Sequence, residues 1–233
     1  MSGVAFFDVD ETLVSVRTLE SFLMAYLKEV PSMISMERLQ QLAKQVVELD
    51  REEFNRIYFA IWAGQPVEQV LEIGERWYAA NEGTSGFYRP NVLGRLRKHQ
   101  ADGDRVVLVS GSFAAPLRPI AAAVGADHVF CTELEVAPDG TYTGVIAAAM
   151  IGEDKRRAVE SYLAELTPGS APLADSSAPP VQTWGYGDHP SDLALLEGVT
   201  DPVVVGSDPA MLAVAQERGW PVWPIDQPLA PRG

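Results

Sequence analysis

The chain reads as an α/β protein: a doubly wound parallel sheet, covered by helices on both faces, with a small helical bundle inserted after the first strand. Three observations predict this. Val4-Ala5-Phe6-Phe7 is a short apolar run of the kind found in a strand buried on both faces. About 80 residues of helical spacing then follow without a strand pattern. From Pro90 onward, strand and helix patterns alternate, as in βαβ units.

Each element has a local reason. Leu19, Phe22, Leu23 and Tyr26 share one helix face, and Pro31 follows its end. Leu39, Leu42, Ala43, Val46 and Val47 repeat the spacing. Asp50 with Glu53 three residues on has the form of a capped start. Phe54, Ile57, Tyr58, Ile61 and Trp62 then make an aromatic-rich face closed by Gly64. Pro66 suits the first position of another helix, with Val67, Val70, Leu71 and Trp77 on its apolar side. Stripes of this kind are more often core than cofactor box, so the segment is expected to be a separate small bundle.

Residues 83–86 resemble a linker, and Pro90 starts a helix to about Gln100. Residues 105–109 form a second buried strand ending in Ser110-Gly111-Ser112. A helix to about Ala123 follows, in which Pro116 and Pro119 are tolerable only in the first turn. Residues 129–131 read as a short strand; 133–136, the Asp139-Gly140 turn and 142–146 read as a hairpin. Lys155 opens a helix with Ala158, Val159, Tyr162, Leu163 and Leu166 on its apolar face. Residues 167–180, rich in Pro, Ser and Ala, read as a surface loop. Strands at 181–186, 203–205 and 222–225, and a helix capped by Asp208 and running to about Arg218, complete the chain.

Composition narrows the function. The 233 residues carry a net charge of −14, which argues against nucleic acid or an anionic membrane as main partner, because phosphate backbones require Lys and Arg. The single cysteine, Cys131, allows no intrachain disulfide and is expected to act as a small buried hydrophobe. The Met1-Ser2-Gly3 start lacks the basic and long apolar regions of a signal peptide, and no apolar run reaches membrane-span length. A cytoplasmic protein, monomer or homodimer, is expected.

The first strand runs into Asp8-Val9-Asp10-Glu11-Thr12. Side chains alternate along a strand, so Asp8 and Asp10 share a side if it stays extended. Two carboxylates that close repel unless a cation or proton lies between them. An acidic pair after a strand is by itself a common polar turn. Other polar groups stand at later strand ends: Ser110, and Asp188 with Asp192 in Gly187-Asp188-His189-Pro190-Ser191-Asp192. Lys155 lies on the helix between them. Singly, Ser110 is a helix cap, Lys155 a solvated lysine beside Arg156 and Arg157, and His189 a loop residue.

Together and in this order, these residues resemble the four motifs of the haloacid dehalogenase superfamily of phosphohydrolases. The helical insert, the hairpin and the Gly219-Trp220-Pro221 ending are similar to subfamily IB, the phosphoserine-phosphatase-like group. The resemblance implies a Rossmann-like core, 1–14 and 89–233, with a C1-type helical cap at 15–88. It implies a small-molecule phosphate ester as substrate and Mg²⁺ as cofactor. Asp8 would be the nucleophile and Asp10 the general acid and base. Ser110, Gly111, Lys155 and Thr12 would hold the phosphoryl group. Asp8, Asp188 and the main chain of Asp10 would hold the metal, with Asp192 in support.

Some positions depart from the pattern. Arg17 stands where phosphoserine phosphatases have a glutamate that recognises the substrate ammonium. An aromatic, Tyr58 or Phe59, stands near their cap arginine, with Arg56 close by, and Glu20 is one turn from Arg17. Arg17 is expected to repel an amine, which makes phosphoserine a poor substrate. Glu11 is given no role. Dehalogenation is argued against by Asp10, which a halide leaving group would not require. A phosphotransferase or mutase, and a non-catalytic relative binding phosphate or metal, are the other readings.

Overall fold

The computed structural model describes residues 3–46, 51–166 and 181–225. Val47, the Asp50 cap signature and the loop expected at 167–180 lie outside the described residues.

Among the described residues seven strands form one sheet: β1 (Val4–Phe7), β2 (Arg105–Phe113), β3 (His128–Val136), β4 (Tyr142–Ala148), β5 (Thr183–Gly187), β6 (Asp201–Val205) and β7 (Val222–Trp223). Their spatial order is β4-β3-β2-β1-β5-β6-β7, and only the β3–β4 pair is antiparallel. Every residue of β1 is buried, as its unbroken apolar run requires. The order turns at β1, which has β2 on one side and β5 on the other. Open α/β sheets carry their ligand crevice beyond the carboxyl ends of the strands at such a switch point.

Helices α1 (Thr18–Glu29), α2 (Met36–Val46), α3 (Arg51–Ala60) and α4 (Val67–Asn81) lie between β1 and the body of the chain. The body adds α5 (Pro90–Ala101), α6 (Ala114–Val124), α7 (Glu153–Leu166), α8 (Leu193–Glu197) and α9 (Pro209–Arg218). The aromatic stripes of the insert are core. Phe22 stacks on Trp62 at 5.4 Å, Tyr26 meets Trp62 at 4.9 Å, and Trp62 meets Phe113 at 5.1 Å. Phe113 closes β2, so the apolar cluster runs without a break from the sheet into the insert. The insert also docks on the β3–β4 hairpin through backbone hydrogen bonds: Gly64 N–H to Tyr142 O, Tyr142 N–H to Gln65 O, and Val67 N–H to Gly140 O.

Several local expectations are corrected. The strand at 129–131 and the first arm of the hairpin are one strand, β3, which pairs parallel with β2 at its start and antiparallel with β4 at its end. A short window sees two strands where partners change. The strand ending at Val109 continues through Ser110-Gly111-Ser112 to Phe113, with a register shift there. β5 begins at Thr183, two residues after the expected start, and β7 is only two residues long. Pro66 is the N-cap of α4 instead of its first helical residue. Pro119 sits inside α6, beyond the first turn. It has no N–H to give the Ala115 carbonyl, and that oxygen faces α4 at Gly74, where a Cβ would stand 2.1 Å from it. Only glycine permits this approach. Cys131 is half-buried in β3, not fully buried.

Candidate active site

The site forms because two parallel strands end side by side. Phe7 of β1 is in register with Tyr186 of β5, and the Asp8 amide donates to the Tyr186 carbonyl at 2.9 Å. Asp8 and Asp188 therefore emerge from neighbouring strands. After Asp188 the chain folds back in a short 3-10 turn, Pro190–Asp192. Gly187 makes room for it: a Cβ there would lie 2.6 Å from that of Asp192. The turn is closed at both ends. The His189 side chain accepts from Ser191 N–H, and Asp192 Oδ2 accepts from His189 N–H at 3.1 Å.

Carboxylate oxygens of Asp8, Asp188 and Asp192 lie within 4.8 Å of one another. Lys155, three residues into α7, reaches two of them. Its ammonium donates to Asp8 Oδ1 at 2.6 Å and to Asp192 Oδ1 at 2.5 Å. Lys155 is 2% exposed, so it is not the solvated lysine that its arginine neighbours suggest. Thr12 donates to Asp188 Oδ1 at 2.7 Å. Asp10 turns to the insert and accepts the Thr18 amide on Oδ1 at 2.9 Å.

The electrostatics follow from burial. Asp8 is held well above the usual carboxylate range, first by loss of solvent, then by the charge of Asp192, against the pull of Lys155. Asp188 is pushed up to about 7, again by burial and then by Asp192, with the Thr12 hydrogen bond opposing. Burial would pull the Lys155 ammonium down, but Asp192 and Asp8 outweigh it and hold it above its ordinary value. Three crowded carboxylates with one ammonium leave excess negative charge. An oxygen-only donor set of this kind fits a hard divalent cation, so Asp8, Asp188 and Asp192 can hold a metal.

The pocket is lined by Asp8, Asp10, Glu11, Gly111, Ile151, Lys155, Asp188, His189, Ser191 and Asp192. At about 20 Å³ it has room for an ion or a water, not for a metabolite.

The structure thus brings together Asp8, Asp10, Gly111, Lys155, Asp188 and Asp192. Ser110 is wholly buried at the register shift of β2, where its Oγ accepts the Ser112 amide at 3.1 Å. Thr12, expected at the phosphate, gives its hydroxyl to Asp188. The residues expected to read the substrate do not line the pocket. Tyr58 is buried and donates to the Leu19 carbonyl at 2.7 Å, and Phe59 is buried against Phe113. Their place in an apolar stripe is what decides their burial. Arg56 is exposed on α3. Arg17 is exposed and pairs with Glu11 at 2.8 Å and Glu20 at 3.4 Å, with the Glu11 hydrogen bond raising its pKa. Sequence reasoning missed Glu11, His189, Ile151 and Thr18. Glu11 has φ +57°, in the left-handed region, a turn geometry for which an apolar-run analysis has no signal.

Among the described residues no helix is long and apolar enough to cross a membrane. A family model for haloacid dehalogenase-like hydrolases matches residues 5–197. A probable phosphatase of Mycobacterium tuberculosis is 29% identical, over 98% of this chain and 77% of its own length. A histidinol-phosphatase of Neisseria meningitidis is 26% identical, over 95% and 98% respectively. Among solved structures, a phospho-aspartyl intermediate analogue of a phosphoserine phosphatase superposes with a TM-score of 0.64 at 17% identity, covering 97% of this chain and 95% of that one. That likeness shows the fold.

Proposed function

Because the chain belongs to the haloacid dehalogenase-like hydrolase family, we propose that it is a Mg²⁺-dependent phosphomonoesterase, hydrolysing a small phosphorylated metabolite through an aspartyl-phosphate on Asp8. Phosphatase chemistry accords with the named activities of the two relatives. The observation that carries the mechanism is the placing of Asp8: a buried carboxylate at the end of the central strand, 2.6 Å from Lys155 and clustered with Asp188 and Asp192.

A bound Mg²⁺, held by Asp8, Asp188 and the Asp10 main chain with Asp192 in support, would supply the charge neutralisation that an anionic ester requires. The chain's own groups do the rest. An Asp8 oxygen attacks phosphorus as the bond to the ester oxygen breaks, and Asp10 gives that oxygen a proton. Water then attacks the same phosphorus, Asp10 takes its proton, and inorganic phosphate leaves with Asp8 restored. Lys155 has three N–H donors and spends two on Asp8 and Asp192, so the third can meet a phosphoryl oxygen. The Ser110-Gly111 segment supplies further donors beside it. The helical insert at 15–88 acts as a cap that excludes water.

The ion pairs of Arg17 weaken the expectation that it repels an amine. Its guanidinium is shared by Glu11 and Glu20, so this part of the rim is not cationic and gives no reason to exclude phosphoserine or another amine-bearing ester.

Phosphate release from p-nitrophenyl phosphate by the purified chain tests the reading. Activity should require Mg²⁺ and vanish in Asp8→Asn. Full turnover in excess chelator, or in that variant, overturns it.

A further inference from the structure

The insert contains a hollow of its own, of about 430 Å³, within the size range of pockets that hold small molecules. Leu23 and Met24 of α1, Leu39 of α2, and Phe54, Ile57 and Tyr58 of α3 are in its mostly apolar wall, and Glu20 adds a carboxylate at one side. Met24 is 53% exposed, so part of this apolar wall stands open to water. Two observations tie the hollow to the catalytic pocket. Glu11 lines the catalytic pocket and Glu20 lines the hollow. The Arg17 guanidinium bonds to both, at 2.8 Å and 3.4 Å, so one planar group spans the distance between them. Tyr58 is the second tie. Burial raises the pKa of its phenol, and the charges of Asp10 and Glu20 add to that, so this wall lies within reach of the catalytic carboxylates. The catalytic pocket has only about 20 Å³, and the alcohol part of an ester must extend beyond it.

We propose that this hollow receives the alcohol part of the substrate, and that the substrate is a dissolved phosphate monoester whose alcohol carries an aliphatic body. The inference rests on the phosphatase reading and deepens it. A hydroxyl-rich alcohol would leave its polar groups facing Leu23, Phe54 and Ile57 without partners, which is costly. An aliphatic chain instead removes apolar surface from water on both sides of the contact. The rim suits such a chain. With its guanidinium held by Glu11 and Glu20, Arg17 can offer the chain its methylene stem. The net charge of −14 opposes approach to an anionic bilayer, so the source is an ester free in solution.

The measurement is kcat/KM for methyl, butyl and octyl phosphate with Mg²⁺ present. Their alcohols are of similar acidity, so the leaving groups are alike and any trend reports contact with the chain. A fully buried methylene is worth up to about fourfold, so octyl phosphate should exceed methyl phosphate on the order of 100-fold, with butyl phosphate between. Octylphosphonate, whose P–C bond is not hydrolysed, should bind on the order of 100-fold more tightly than methylphosphonate in calorimetry, with a negative heat-capacity change. Two substitutions act on the hollow in different ways. Met24→Glu places a charge at its exposed side, and Ile57→Trp fills it. In each, the octyl-to-methyl ratio should fall below about tenfold. A substitution that only disturbed folding would lower both rates together and leave the ratio unchanged. Equal rates on octyl and methyl phosphate in the wild type, or a ratio that neither substitution lowers, overturn the inference, and turnover of p-nitrophenyl phosphate then leaves the phosphatase reading intact. A wild-type chain that releases phosphate from none of these esters overturns both.

Discussion

The carboxylate cluster and the aromatic cluster of the insert are both buried, yet they stand in opposite relation to stability. Around Trp62, Phe22 and Phe113, burial removes apolar surface from water and favours folding. Around Asp8 and Asp188, burial crowds like charges, and the raised proton affinity of both groups measures the penalty. Lys155 offsets part of it, and a cation would offset more. One region makes the fold; the other is made possible by it. The two meet at the stretch from Ser110 to Phe113, where one strand carries a site residue into the aromatic core.

The comparison breaks if the site proves to be a source of stability. Asp8→Asn removes a penalised charge together with the proposed nucleophile. Activity should fall on the order of 10⁴-fold or more, while the melting temperature without metal holds or rises. A marked drop in metal-free melting temperature would show that the Lys155–Asp8 pair stabilises the fold on balance. The converse holds for the insert. Trp62→Ala should cost about 3–5 kcal/mol in denaturant unfolding, a loss comparable with that of any large core side chain. A cost under about 1 kcal/mol would show that the insert is loosely packed.

The dependence on pH sharpens the same contrast. Asp188 binds its proton more tightly in the folded chain, at about 7, than an unfolded carboxylate does. Its contribution to metal-free stability is therefore fully present below about pH 4 and is lost as pH rises through about 7. The melting temperature of wild type relative to Asp188→Asn should fall between about pH 5 and pH 8 in chelator. Mg²⁺ held at this cluster would compete with that proton, so its stabilising effect should grow over the same range. A Mg²⁺ effect independent of pH would place the metal elsewhere. The smallest effect is expected at the rim. Arg17→Ala removes exposed ion pairs and should change stability by less than about 1 kcal/mol. A larger loss would mean that the Glu11 turn depends on Arg17.

Much of the site was legible because strand ends are local features. The apolar run before Asp8 and the one before Gly187-Asp188 each specify a buried strand, and a parallel sheet puts such ends together. Lys155 was legible only through its order among the motifs, since nothing in its own neighbourhood distinguishes it from Arg156 or Arg157. The burial of Tyr58 and Phe59 was not legible in their chain positions, because an alignment by position says nothing of which side of a helix faces inward. The contacts of Thr18 were not legible in the sequence, because they are made with Asp10 and with Ser112, the latter 94 positions away.

By itself the sequence determined most of the strand and helix pattern and the identity of the acidic groups, because hydrophobic period and turn chemistry act over a few residues. Only the tertiary structure decided which groups share a charge, which hydroxyl holds which carboxylate, and that Arg17 is neutralised at the rim. Those outcomes depend on distances between residues remote in the chain. Electrostatic and hydrogen-bond energies change over an ångström, a scale that no pattern of neighbours along the chain records.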